Sequence, residues 1–290
     1  MVGTNLLQKL DSIFSPSSSE VDLTNRKEVI SYLSSIKPHN VINLAGKVGG
    51  IKSNLENNYE FLTQNLIINH NLIDACHVVG IKNFLNVSSS CIYPKNFKNP
   101  LKESDILASY LEPTNEGYAL AKIVALKMCI YLNNIKGLNY KTIIPCNLYG
   151  PFDKFGQDSH MIPGVIKRVH EAKIKNLPFV EMWGDGSARR EFMYVEDIVD
   201  FILFSLKNFD NLPLITNVGL GVDYTIRQYY ESIINIIGYA GRIKANTNQP
   251  IGMLRKQVDI SNQVNLGWMP KTILETGLKK TYKYFIENEI

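Results

Sequence analysis

Asn83-Phe84-Leu85-Asn86-Val87-Ser88-Ser89-Ser90-Cys91 is a short apolar run closed by three serines. Its residue types suit a sheet covered on both faces, and its end carries hydroxyls, so the run predicts a buried strand with a polar exit at its carboxyl end. Two further runs have the same character, NVINLA at 40–45 and YKTIIP at 140–145. Between the three runs, residues 59–79 and 117–134 carry apolar side chains three and four apart, the spacing of helices that lie on a sheet. The order strand, helix, strand, helix, strand predicts an α/β fold with a doubly wound parallel sheet of Rossmann type. After Gly150-Pro151 the elements shorten, with helices expected at 162–172, 195–206, 225–237 and 273–288. Residues 1–150 therefore read as the sheet domain. Residues 151–290 read as a smaller α/β region that supplies substrate contacts, with some segments returning to the first domain.

Composition narrows the function classes. The net charge of +4 is spread along 290 residues without a basic tract, which disfavours nucleic acid as a partner. Cys76, Cys91, Cys129 and Cys146 lack the paired spacing of a zinc site and the density of a disulfide scaffold, so no metal site is expected and a reducing cytoplasm fits best. No apolar run approaches the roughly 20 residues of a membrane span, and the first residues lack the basic-then-apolar build of a signal peptide. No membrane association is expected. Phe14-Ser15-Pro16-Ser17-Ser18-Ser19 reads as a loop at the end of a strand.

The chemistry lies in Tyr118 and Lys122, one helical turn apart at the start of the segment YALAK. A tyrosine that works as a general acid or base near neutral pH needs help to shed its proton, and an adjacent ammonium lowers its pKa. An exposed helix pair has the same spacing, so context must decide. The serines of the run 83–91 place hydroxyls at the carboxyl edge of the sheet, where open α/β folds bind their ligands. Taken alone, such serines are also common turn formers.

A strand-end serine followed by Tyr-x-x-x-Lys on the next helix resembles the active site of the short-chain dehydrogenase/reductases. The segments Lys47-Val48-Gly49-Gly50-Ile51, Ser89-Ser90-Cys91-Ile92-Tyr93-Pro94-Lys95, Glu112-Pro113-Thr114-Asn115-Glu116, Asn147-Leu148-Tyr149-Gly150-Pro151, Ser159-His160-Met161-Ile162-Pro163 and Arg190-Glu191-Phe192 resemble, in the same order, those of the GDP-L-fucose synthase family. The resemblance implies an NADPH-dependent enzyme that epimerises C3 and C5 of GDP-4-keto-6-deoxy-D-mannose and then reduces the C4 ketone. It implies that Ser89 and Tyr118 hold the ketone oxygen, that Tyr118 delivers its proton with Lys122 beside it, and that Cys91 and His160 share the proton traffic. Read without the resemblance, Cys91 is a small buried apolar side chain and His160 a loop histidine. Arg190 matches the family's pyrophosphate partner, since a guanidinium fork suits two phosphate oxygens. Arg189 beside it leaves that match ambiguous by one position. Trp183, Arg255 and the basic side chain at position 168, Arg168, are further matched substrate contacts. The family's homodimers imply pairing through the helices at 59–79 and 117–134.

Dinucleotide folds cradle the pyrophosphate on a glycine-rich turn between the first strand and the first helix. Met1-Val2-Gly3-Thr4 matches only the end of that turn, so Gly3 is its last glycine and the strand before it is expected to be missing, most simply through a misassigned start. Ser17 and Ser18 are candidates for a ribose 2′-phosphate, because the stretch 14–19 offers no carboxylate to grip a free ribose hydroxyl. The resemblance adds Asp22 and Leu23 at the adenine. It also places Ala45, Gly46, Lys122, Asn147, Leu148 and His160 along an NADP cofactor. Two alternatives stay open: a reductase or epimerase of another GDP-linked 4-keto sugar such as a 6-deoxy-heptose, and a non-catalytic binding or assembly subunit.

Overall fold

The computed structural model describes residues 1–10, 13–156, 159–249 and 252–290, with the backbone alone at 51 and 52. The first half of the chain runs through α1 (Val2–Leu7), α2 (Arg26–Ile36), β1 (Asn40–Asn43), α3 (Ile51–Glu56), α4 (Asn58–Val79), β2 (Asn83–Val87), α5 (Glu116–Lys136) and β3 (Asn139–Pro145). Then come β4 (Asn147–Tyr149), α6 (Met161–Ile174), β5 (Phe179–Trp183), β6 (Arg189–Arg190), β7 (Phe192–Tyr194), α7 (Val195–Lys207) and β8 (Ile215–Val218). The chain closes with β9 (Tyr224–Thr225), α8 (Ile226–Ile237), β10 (Arg242–Asn246), β11 (Arg255–Lys256), α9 (Ser261–Asn265) and α10 (Leu274–Asn288).

The main sheet has the order β1-β2-β3-β8, and every pairing in it is parallel. Apolar side chains cover it on both sides, as a sheet built from crossover units requires. Along β2, Phe84 joins a cluster with Val29 and Leu33 of α2 and Leu72, Ile73 and Cys76 of α4. Leu85 and Val87 join the larger cluster on the other side, which takes in Ile198, Val199, Phe201 and Ile202 of α7. The strand β8 comes from well beyond residue 150, so the later part of the chain does send a segment back into the first sheet. Smaller sheets hold β5 with β10, β4 with β7, and β6 between β11 and β9.

A polar rung crosses the sheet where an apolar one would be usual. In the strand register Asn43 stands opposite Asn86, and Asn86 opposite Thr142. The Asn43 amide donates to Asn86 Oδ1 at 3.3 Å and to Asn69 Oδ1 on α4 at 2.8 Å, and Asn86 donates to Thr142 Oγ1 at 3.4 Å. All four side chains are buried, so each depends on the others for the hydrogen bonds it gave up on leaving water.

The expectation of a strand end at 14–19 is not met. Residues 13–19 lie in no strand and are largely exposed. The Glu20 carboxylate accepts from the Ser17 amide at 2.7 Å and from the Ser17 hydroxyl at 2.8 Å, which closes a local turn. Ser and Glu satisfy one another here without a partner strand.

Candidate active site

At the carboxyl end of β2 the chain turns at Ser89, whose Oγ accepts from the Cys91 amide at 3.4 Å and caps a single 3-10 turn over Ser90–Ile92. That turn holds Cys91 buried directly beyond the strand. Across from it, α5 carries Tyr118 and Lys122 on one face. Lys122 is buried and donates to the Val87 carbonyl at 3.0 Å, with its Nζ 5.8 Å from the Tyr118 ring centroid. The Val87 carbonyl at the end of β2 thus fixes the ammonium beside the phenol.

Electrostatics reverse one expectation. Lys122 does not depress Tyr118: burial pushes the phenol well above its ordinary value, and the Cys91 thiol pushes it the same way. Burial also drives Lys122 down to about 8. Desolvation penalises both charged forms, and the ammonium that holds Val87 beside the ring does not overcome it. The thiol of Cys91 is raised by burial too, while the Ser89 hydroxyl and the Lys256 and Lys122 ammonium groups pull it back. Tyr118 is therefore a proton donor at neutral pH in this arrangement.

Lys256, on β11, escaped the sequence reading. Burial lowers its pKa and the Arg190 charge pushes the same way, while Cys91, Cys146 and Glu191 raise it, which places its ammonium among those four side chains. Glu191 is fully buried and accepts from three backbone amides, Leu220 at 2.7 Å, Gly221 at 2.9 Å and Val258 at 3.0 Å. One carboxylate thereby ties the segment after β6 to the loop after β8 and to the segment after β11. Only the word Arg190-Glu191-Phe192 hinted at it.

The two adjacent arginines separate clearly. Arg189 turns to Asp223, with Nε donating to Oδ1 at 2.9 Å, and Arg255 reaches the other oxygen of the same carboxylate at 2.6 Å. Arg190 donates from Nη1 to the Arg189 carbonyl at 2.8 Å, and burial lowers it to about 10 against the pull of the Glu112 charge. Arg255 thus stands in an ion pair with Asp223 while its side chain stays half exposed. Arg168 on α6 donates to the Tyr230 hydroxyl at 2.9 Å. Trp183 ends β5 on the strand's exposed side, before a turn through Gly184 and Gly186, both at positive φ.

Of the expected cofactor residues, Ala45 and Gly46 follow β1 at the end of the main sheet, and the others stand on separate segments. The Ala45 amide donates to Asn43 Oδ1 at 3.2 Å. A Cβ on Gly46 would lie 2.9 Å from Asn65 Oδ1 and 3.8 Å from Lys122 Nζ, so the backbone passes close over the lysine. Asn147, at the start of β4, donates to the Glu191 carbonyl at 2.9 Å, and Leu148 follows it in partly buried surroundings. His160 precedes α6, and its Nδ1 lies 3.5 Å from Asp153 Oδ1. Gly3 sits in α1 against Leu44, just beyond β1. The Asp22 carboxylate accepts from Thr24, and the Leu23 carbonyl accepts from Asn71 of α4. Among the described residues no cluster of metal-ligating side chains occurs, and no helix is long and apolar enough to cross a membrane.

Residues 4–219, which span the parallel sheet and the serine, tyrosine and lysine at its edge, match the family described as NAD dependent epimerase/dehydratase. The chain belongs to that family. Within it, the chain is 46% identical to the GDP-L-colitose synthase of Yersinia pseudotuberculosis, over 100% of this chain and 96% of that one. It is 40% identical to the GDP-L-fucose synthase of Azorhizobium caulinodans, over 100% of this chain and 95% of that one. The solved GDP-mannoheptose C4 reductase of Campylobacter jejuni, with NADP bound, superposes with a TM-score of 0.89 at 29% identity, over 98% of this chain and 95% of that chain.

Any residue larger than Gly46 would press on Asn65 and lean over Lys122, so the glycine keeps the space above the lysine open. Ser88 adds a buried hydroxyl that accepts no hydrogen bond from the described residues. The Ser17 and Ser18 turn fits a phosphate poorly, because the Glu20 carboxylate already occupies the Ser17 amide and hydroxyl.

Proposed function

We propose that this chain is an NADPH-dependent epimerase/reductase acting on a GDP-linked 4-keto-6-deoxy sugar, and that it converts GDP-4-keto-6-deoxy-D-mannose to GDP-L-fucose. The observation that carries the reading is a buried thiol, a protonated phenol and two ammonium groups grouped at the carboxyl edge of one parallel sheet. The kinship with GDP-L-fucose and GDP-L-colitose synthases supports it.

A 4-keto group acidifies the hydrogens on C3 and C5, so a modest base suffices once the enolate oxygen has donors. The Ser89 hydroxyl and the Tyr118 phenol are those donors. Cys91 takes a ring proton as thiolate, with Lys122 and Lys256 opposing the burial that disfavours its charge. His160 returns a proton from the other side. When bound, reduced nicotinamide supplies the hydride for C4. Tyr118 gives its proton to the C4 oxygen, and the phenolate left behind faces Lys122. Ala45, Gly46, Lys122, Asn147, Leu148 and His160 would hold the nicotinamide end. Arg190 meets the GDP pyrophosphate, with Arg168, Trp183 and Arg255 around the nucleotide and the region after residue 150 contributing most of these contacts.

The test is turnover in deuterated water. Product labelled at both C3 and C5 is expected, and product with no ring label would reduce the enzyme to a simple 4-reductase. The 46% identity to a colitose synthase favours a second reading, in which the sugar is the GDP-linked keto precursor of colitose. The ratio of kcat/KM on the two keto sugars decides between them.

The active unit is read as a homodimer. Leu120, Val124, Tyr131 and Ile135 form an exposed apolar stripe at helical spacing on α5, and Tyr59 and Ile67 lie exposed on the neighbouring α4, with Tyr131 58% and Tyr59 80% accessible. A second copy would bury this surface in a four-helix contact. Val124→Asp is expected to halve the mass seen by light scattering, and a native chain already monomeric would refute the pairing.

A further inference from the structure

Asp153 and His160 form a pair in the segment between β4 and the start of α6. His160 Nδ1 is 3.5 Å from Asp153 Oδ1, with the carboxylate 5% exposed and the imidazole 45% exposed. The loop that carries Asp153 is firmly held. Phe152 packs on Tyr284 of α10 with ring centroids 5.0 Å apart, and Phe155 packs on Phe285 at 4.9 Å. The Asp153 amide donates to the Gly150 carbonyl, and Oδ1 accepts from the Lys154 amide at 2.9 Å. Among the described residues Oδ2 is buried and accepts no hydrogen bond. The Met1 amino group lies near enough to feel the Asp153 charge.

An aspartate buried beside one ring nitrogen of a half-exposed histidine sets the ring's placement: it selects the tautomer and rotation that turn Nε2 away from the carboxylate. We infer that Asp153 is the positioning residue for His160, aiming Nε2–H into the sugar site and sustaining its role as the proton donor to the ring carbons. The inference rests on the epimerase reading. In the step it serves, the N–H bond of the imidazolium breaks as a C–H bond forms at the enolate carbon, leaving neutral imidazole for the next exchange.

The test omits the nicotinamide and follows deuterium entering C3 and C5 of GDP-4-keto-6-deoxy-D-mannose. Asp153→Asn is expected to slow exchange at least tenfold, with KM for the sugar changed less than twofold. In a His160→Gln background the same substitution is expected to slow the residual exchange less than twofold, which separates action through the histidine from a general loosening of the loop. Asp153→Glu, which keeps the charge, is expected to recover at least a third of the native rate, and it decides the matter if Asp153→Asn does not fold. Exchange by Asp153→Asn within twofold of native, equal slowing with and without His160, or a glutamate variant no faster than the asparagine one overturns the inference. Native protein that exchanges neither position refutes the epimerase reading itself.

Discussion

Tyr118→Phe is expected to lower the kcat for NADPH oxidation on the GDP-linked keto sugar by about 10²–10⁴-fold, the span general-acid catalysis contributes. The phenol is protonated at neutral pH because burial and Cys91 both oppose its ionisation. It is therefore ready to give a proton to the C4 oxygen, and phenylalanine keeps the ring while removing that proton. In the proposed arrangement Ser89 still donates to the ketone oxygen, so the KM for the sugar should move little. Solvent exchange at C3 and C5 should fall less than reduction does if, as proposed, Cys91 and His160 carry that traffic. A Phe variant within fivefold of native in NADPH oxidation would remove Tyr118 from the proposed chemistry.

Glu191→Ala is expected to destabilise the fold by about 3–5 kcal/mol, measured by urea unfolding. It strips the partner from the amides of Leu220, Gly221 and Val258, and unpaired buried amides cost about 1–3 kcal/mol each before water enters to relieve part of it. The carboxylate also carries a pH signature. Burial raises its pKa from an ordinary 4.5 to about 7, against the pull of the three amides. A carboxyl raised on folding contributes stability that is complete below about pH 4.5 and is lost as pH climbs to about 7, because over that window the folded state holds the proton longer. Relative to Glu191→Gln, which does not titrate, the native protein should thus lose about 3 kcal/mol between pH 4.5 and 7.5. A constant difference across that window would mean that the amides, not burial, set its ionisation.

Much of the scaffold is legible in the sequence, because burial on both faces writes strands as continuous apolar runs. β2 and β3 fall within a residue or two of the segments 83–88 and 140–145, and α6, α7, α8 and α10 lie where apolar spacing places them. The helix α2 carried a signal that went unread: the Asn25 side chain accepts from the Lys27 amide at 3.2 Å, and Glu28 reaches back to the Asp22 amide at 3.1 Å. The two-residue strands β6 and β11 could not be seen, since their pairing depends on distant partners and not on any period. Lys256 was missed for the same reason, since nothing near it in sequence announces the thiol and the arginine it meets. The direction of the Tyr118 shift was misjudged because the Tyr-x-x-x-Lys spacing shows the attraction but not the depth of burial. Arg189 and Arg190 look alike in sequence and part only when Asp223 is in place.

The rung formed by Asn43, Asn86 and Thr142 serves as an alignment key for the sheet. An all-apolar interior tolerates a strand sliding by two residues, because greasy surfaces are nearly interchangeable. Here such a slide would leave amide and hydroxyl groups of three strands facing hydrocarbon with nothing to bind. The sheet has in effect one correct setting, and that setting fixes where the edge carrying Ser89 and Cys91 stands.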